Sequence, residues 1–176
     1  MLRPVWVIGL LILGLGAWRP LSATPAPDKL KAAYVFNFLK FTTWPTTSRP
    51  PGQLQLCLVN ANEALRSAFG ALNGQEVNGR AILVKSLGKT TEVDQCHVYY
   101  LRQGGAPVAL KNLIEANPGL LTIGDAQNFV SNGGMIGLIE EGGRMQFNIN
   151  LTLLKQVEYR ISAQLLKLAR NTRMTP

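Results

Sequence analysis

Four short apolar runs, at residues 54–59, 81–85, 96–101 and 120–123, alternate along the chain with stretches whose apolar residues recur at helical spacing. This alternation restricts the fold more than any other feature. A strand, a helical crossover and a parallel strand repeat into a mostly parallel sheet with helices on both faces, and the connections are right-handed. Near the end the pattern changes. Residues 135–139 and 144–149 flank a turn at 140–143 that contains Gly142 and Gly143, and they read as an antiparallel hairpin. In its second arm Met145, Phe147 and Ile149 point one way, while Arg144, Gln146, Asn148 and Asn150 point the other. Asn150 is placed to cap a final helix. There Leu154, Val157, Ile161, Leu165 and Leu168 form a core stripe, with Lys155, Arg160, Lys167 and Arg170 on the remainder. The expected fold is therefore α/β: a mostly parallel sheet flanked by helices, with a C-terminal antiparallel hairpin and a final helix.

The first helix of this scheme covers residues 28–43 and stops at Trp44 and Pro45. Leu30, Ala33, Tyr34, Phe38 and Phe41 line one face, and Val35, Phe36 and Leu39 make a second apolar face. A helix with two apolar faces needs cover on two sides, from the rest of the domain or from a second chain, and a subunit or partner contact through Phe36 and Leu39 is the favoured expectation. Lys29, Lys31 and Lys40 extend past this apolar surface to water. Asn60 or Asn62 opens a short helix through residues 65–69, and Pro107 marks the start of another that ends before Asn117, Pro118 and Gly119. Gly124 and Asp125 turn the chain into a brief helix through Phe129.

Residues 1–23 differ from the rest. Arg3 precedes an apolar run over residues 5–17, and Trp18, Arg19 and Pro20 end it before Ser22 and Ala23. The run is shorter than the roughly 20 residues that span a bilayer, so it reads as a signal peptide cleaved after Ala23, with an uncleaved anchor as the alternative because Leu21 stands where a small residue is preferred. Residues 24–176 then form one domain. The whole chain's hydrophobic content of 47% and charged content of 16% suit a folded globule. Removing Arg3 and Arg19 lowers the formal charge from +8 to +6. Export argues against a nucleic-acid partner, and the basic residues form no reader motif. An acidic protein face or an anionic lipid surface suits the charge, as does plain solubility.

Cys57 and Cys96 are the only cysteines, and an even count in an exported chain reads as a disulfide. Closing a loop of about 40 residues contributes about 4 kcal/mol in the chain-entropy model. A redox switch is the alternative.

Catalytic residues are scarce. His97 is the only histidine, and it adjoins Cys96 in a strand, where neighbouring side chains point to opposite faces. Neither a thiolate dyad nor a metal site follows from that pair. Glu140 and Glu141 are neighbours at a solvated turn. Gly133, Gly134 and Gly137 lack the Lys-Ser/Thr pair of a phosphate loop, and admit unusual backbone angles or a close neighbour instead. Asn150, Leu151 and Thr152 match a glycosylation sequon only formally, since capping explains Asn150. No catalytic residue, cofactor or metal is expected.

Two segments resemble the YfiR family. The early one is Lys31, Ala32, Ala33, Tyr34, Val35, Phe36, Asn37, Phe38, Leu39, Lys40, Phe41, Thr42, Thr43, Trp44, Pro45. The late one joins Gly133, Gly134, Met135, Ile136 and Gly137 to Gly143, Arg144, Met145, Gln146, Phe147, Asn148, Ile149 and Asn150, then Arg160, Ile161, Ser162 and Leu165. The resemblance implies a periplasmic, non-enzymatic repressor. Such a protein binds the periplasmic sensor region of an inner-membrane diguanylate cyclase (a YfiN-like protein), holds cyclic di-GMP synthesis off and so controls biofilm formation. It also implies that Cys57 and Cys96 form the family's interstrand disulfide, while a second bridge found in some members has no cysteines here. The partner-binding residues expected on this reading are Arg144, Asn148, Asn150, Arg160, Phe36 and Leu39, with a homodimer as a further association. Phe147 and Trp44 are expected in the core. A periplasmic small-ligand sensor, with a pocket near the loops after the strands, is the competing reading.

Overall fold

The computed structural model describes residues 26–45, 52–88, 93–104 and 109–173. The signal peptide assigned to 1–23 and the helix-start signal at Pro107 lie outside them. In chain order the elements begin with α1 (Pro27–Lys40), β1 (Thr42–Thr43), β2 (Gln53–Val59), α2 (Glu63–Gly70), β3 (Glu76–Val77), β4 (Arg80–Leu87) and β5 (Val98–Leu101). They continue with α3 (Leu110–Ala116), β6 (Leu121–Gly124), β7 (Ile136–Glu141), β8 (Arg144–Asn150), α4 (Leu151–Gln156), β9 (Arg160–Ile161), α5 (Ala163–Leu168) and β10 (Asn171–Arg173).

Eight strands form one sheet in the order β10-β8-β7-β6-β5-β2-β4-β3. Strands β4, β2, β5, β6 and β7 are successively parallel, β8 returns antiparallel to β7, and β10 lies parallel to β8. The remaining pair, β1 with β9, forms a separate antiparallel ladder that joins Thr42 to Ile161. Mixed α/β with a mostly parallel sheet and a C-terminal hairpin is therefore what the chain adopts.

The side-chain period of two divides the core between the faces of the sheet. Leu54, Leu56 and Leu58 of β2, with Val98 and Tyr100 of β5, enter the larger core shared with α1 and α2. Cys57, Val59, Tyr99 and Leu101 enter the smaller one, with Leu110 at the start of α3 and Phe129. The Cys57–Cys96 disulfide lies in that smaller core, with Cα atoms 5.8 Å apart, and ties β2 to the residues that lead into β5.

Local chemistry explains the boundaries. The Asn62 side chain accepts the Leu65 N–H and caps α2, Asn150 accepts the Leu153 N–H and caps α4, and Ser162 accepts the Leu165 N–H and caps α5. The hairpin turns through Gly142 and Gly143, both at positive φ, with Glu141 opposite Arg144.

Three expectations need correction. The final helix is broken, because Glu158 adopts φ +60 and Tyr159 leaves the helical path. Tyr159 inserts its ring against Trp44, donates its hydroxyl to the Gly119 carbonyl at 2.7 Å, and is followed by β9. Of the expected stripe, Leu154 and Leu165 are buried, Val157 and Ile161 are half-buried, and Leu168 is exposed. Secondly, residues 125–133 contain turns and no helix, and Phe129 enters the core from them. Thirdly, the second apolar face of α1 is covered by its own chain. Val35 and Leu39 are fully buried in the larger core, α2 packs on α1, and Ala33 of the first face is exposed.

Three buried tyrosines set an alkaline limit to stability. Burial pushes the Tyr99 phenol up to about 12. Burial, then the charge of Asp125, holds Tyr100 well above the ordinary range, and burial does the same for Tyr159 against a smaller opposing effect of Arg80. A folded pKa above the unfolded value of about 10 means that the unfolded chain releases its proton first. The stabilisation is complete below pH 10 and disappears as pH rises through the folded values. Melting temperature is expected to show no tyrosine-linked fall up to about pH 10 and to drop steeply above it. Phenolate absorbance at 295 nm should rise together with unfolding. Full ionisation of Tyr99, Tyr100 and Tyr159 near pH 10 in the folded state would contradict this.

Candidate partner-binding site

The seven residues of β8 run about 20 Å from Arg144 to Asn150, and the expected binding residues divide between its two ends. Arg144 is exposed beside the hairpin turn. Asn150, at the other end, is half-buried and commits its side-chain oxygen to α4. Arg160 is exposed near that end, opposite Thr43 in the β1–β9 ladder. It shares a hollow of about 540 Å³ with Lys155, Glu158 and the Trp44–Tyr159 pair, whose ring centroids are 5.8 Å apart. Phe36 is half-buried on α1, with the Lys40 ammonium 5.6 Å from its ring centroid. Leu39 is 0% exposed, so it has no surface to offer a partner, which corrects its assignment as a contact. Phe147 is buried as expected, and Trp44 is half-buried against the larger core.

Asn148 is half-buried in the middle of β8 and lines a cleft of about 360 Å³ beside the turns that follow β6. There Lys31 of α1 meets the Asp125 carboxylate at 2.6 Å, and the Gln103 backbone N–H donates to the same carboxylate at 2.7 Å. With only 15% and 8% of their side-chain surfaces exposed, Lys31 and Asp125 form a shielded latch between α1 and the ends of β5 and β6. The wall of this cleft depends on missing side chains. Phe129 lies across Gly124 and Gly134, and Val130 lies against Gly137, so a Cβ at Gly124 or Gly134 would fall inside the aromatic ring's contact distance. The close-neighbour role expected of these glycines applies at Gly134 and Gly137, while Gly133 has φ +92.

At the Arg144 end lies a groove of about 710 Å³ between α1, β8 and α5. Its floor is Phe38 on Phe147, with ring centroids 4.9 Å apart, and Tyr34 meets both rings edge-on at 6.1 Å. Leu168 forms one lip and is 69% exposed, the one large apolar residue so open among the described residues. Gln146 lines the same groove. The exposed Arg170 nearby is paired with Glu141 of β7. Sequence reasoning missed this groove as a unit, because its residues come from three distant segments. The one available signal was the aromatic spacing of Tyr34, Phe38 and Phe41.

His97 is 5% exposed, and its Nδ1 accepts the Gln55 backbone N–H at 3.1 Å, so the ring carries a structural hydrogen bond. Among the described residues no three His, Cys, Asp or Glu side chains converge as metal ligands, and no helix is long and apolar enough to cross a membrane.

The model of the YfiR/HmsC-like family matches residues 28–170. No curated protein matches the chain. A similar solved structure is the crystal structure of a conserved domain protein from Vibrio cholerae O1 biovar eltor, with 15% identity and a TM-score of 0.49. The match covers 84% of this chain and 60% of that one.

Proposed function

The chain belongs to the YfiR/HmsC-like family, and from that premise we propose that it is an exported repressor of a membrane diguanylate cyclase. The family suggests a periplasmic regulator of cyclic di-GMP signalling. On our reading, residues 1–23 direct export and residues 24–176 form a single binding domain without catalytic activity. The domain occupies the sensor region of the cyclase and holds it in its inactive conformation. Repression of this kind is a population shift: the regulator needs only to bind the inactive form more tightly than the active one.

The observation that carries the proposal is the open apolar groove at the end of β8. Exposed Leu168, with half-buried Tyr34 and Phe41 beside it, gives a partner a concave apolar surface to cover. Arg144 at this end suits a charged rim around such a contact, and Arg160 and Asn148 are open to a second contact elsewhere. A second reading, a small-ligand sensor, has support from the cleft around Lys31, Asp125 and Asn148, which lies beyond the carboxyl ends of β5 and β6.

Deleting the gene should raise cyclic di-GMP several-fold, and this rise should vanish when a single membrane cyclase with a periplasmic region is also deleted. That cyclase should co-purify with the wild-type chain. Unchanged cyclic di-GMP, with no cyclase recovered, would sink the repressor. A small molecule that raises the melting temperature strongly in a metabolite screen would then favour the sensor.

A further inference from the structure

We propose that the groove between α1 and α5 receives one amphipathic helix of the partner, apolar on the side that enters and acidic on its flanks. The inference rests on the repressor reading above and names the surface and the chemistry it recognises. Backbone chemistry decides against an extended occupant. A peptide that adds a strand to a sheet needs free N–H and C=O groups along the edge. At this edge of β8 the Met145 carbonyl already accepts the Tyr34 hydroxyl at 3.0 Å, and the Phe147 carbonyl accepts the Arg170 N–H at 2.9 Å. Beyond these, β10 pairs with Asn148, Ile149 and Asn150. With these carbonyls taken and the strand beyond them paired, little ladder is left for an incoming chain, which favours binding through side chains. The walls are α1 and α5, and the apolar surface open to an occupant comes from half-buried Tyr34 and Phe41 and exposed Leu168, with Phe38 and Phe147 buried beneath them, an arrangement that suits anchors at i, i+3 and i+4 of a helix.

Charge gives the partner its sign. Arg144 and Lys167, the exposed chain neighbours of the lining residues Met145 and Leu168, have no ion-pair partner among the described residues. Arg170 already neutralises Glu141, so that acidic residue does not cancel the rim. With 18 basic against 10 acidic residues, the whole chain adds to the same field. Acidic flanks on the helix would meet these cations and set its direction in the groove, while the apolar face supplies most of the affinity.

The test uses the full exported chain together with the membrane diguanylate cyclase it represses. Leu168→Asp places a charge on the lip, Lys167→Glu reverses the rim, and Lys111→Glu on α3 is the control at a side chain 83% exposed. Leu168→Asp should weaken capture of the cyclase's periplasmic region about 30-fold, as loss of a buried anchor does. Cyclic di-GMP should then rise to the level of the deletion strain. Lys167→Glu should weaken capture several-fold and flatten its salt dependence, and Lys111→Glu should change neither. In hydrogen exchange, the chain should protect one helical segment of the cyclase that carries Asp or Glu beside its apolar face.

If Leu168→Asp melts like wild type and still captures and represses the cyclase, the groove assignment is wrong and the repressor reading stands. The assignment fails in the same way if the variant only turns a dimer into a monomer, since the occupant is then a second copy of this chain. Equal loss with Lys111→Glu would also overturn the groove. A wild-type chain that neither binds nor represses any cyclase removes both proposals together.

Discussion

Replacing Cys57 and Cys96 together with serine lowers the melting temperature by about 8–16 °C. The bond joins residues 39 apart in sequence, so removing it returns about 4 kcal/mol of loop entropy to the unfolded chain. For a domain of this size, each kcal/mol shifts the melting temperature by about 2–4 °C. Both sulfurs lie in the smaller core, with Cys57 1% and Cys96 3% exposed, so two buried hydroxyls add a desolvation cost unless they find partners. The same burial makes a second forecast. Native protein should resist a mild thiol reductant, and the bond should open only at the rate at which the domain unfolds. Calorimetry of the double variant, together with thiol titration of the native wild type, checks both. A melting temperature within about 2 °C of wild type, less than a single kcal/mol would produce, or rapid reduction of the native state, would show that the bond does not clamp β2 as described and would revive the redox-switch alternative.

Gly134→Ala should cost about 1–3 kcal/mol, the usual range for overpacking a filled core, or a fall in melting temperature of about 2–12 °C. The added Cβ would stand 2.2 Å from the Phe129 ring, whose other edge already lies so close over the Gly124 backbone that a Cβ there would come within 2.5 Å of it, so the ring has little room to retreat. A double-mutant cycle separates this clash from any backbone effect. Phe129→Ala is destabilising by itself, but Gly134→Ala should add almost nothing once the ring is gone. If Gly134→Ala costs the same in both backgrounds, the ring is not the reason for the glycine.

How far the sequence revealed this molecule depends on the range of the interactions involved. Elements held by their own periodicity were legible: the apolar runs became β2, β4, β5 and β6, and the alternation of Met145, Phe147 and Ile149 became β8. Side-chain caps at Asn62 and Asn150 were legible for the same reason, since donor and acceptor are three residues apart. Strands β1, β9 and β10 were not, because segments of two or three residues owe their pairing to distant partners rather than to any pattern of their own. The break after α4 escaped notice because no Gly, Asn or Pro marks it. Burial of Tyr159 takes the backbone through a left-handed Glu158, a conformation that residue adopts at some cost. Helical spacing at Val35 and Leu39 announced a second buried face correctly, but periodicity does not say whether the cover comes from α2 or from another molecule. Recognition features followed the same rule. Arg144 and Arg160 could be named singly, while a groove built from Tyr34, Phe147 and Leu168 exists only after folding.

The small ladder that joins Thr42 to Ile161 has a bearing on the order of assembly. The early helix finds its aromatic neighbour at Phe147 and its closing strand at Arg160 and Ile161, so this side of its packing must wait for nearly the whole chain. Contacts so distant in sequence form late and slowly. Helix α2 can pack on α1 early, but the aromatic contact with Phe147 and the closing ladder are completed only once the C-terminal residues are present.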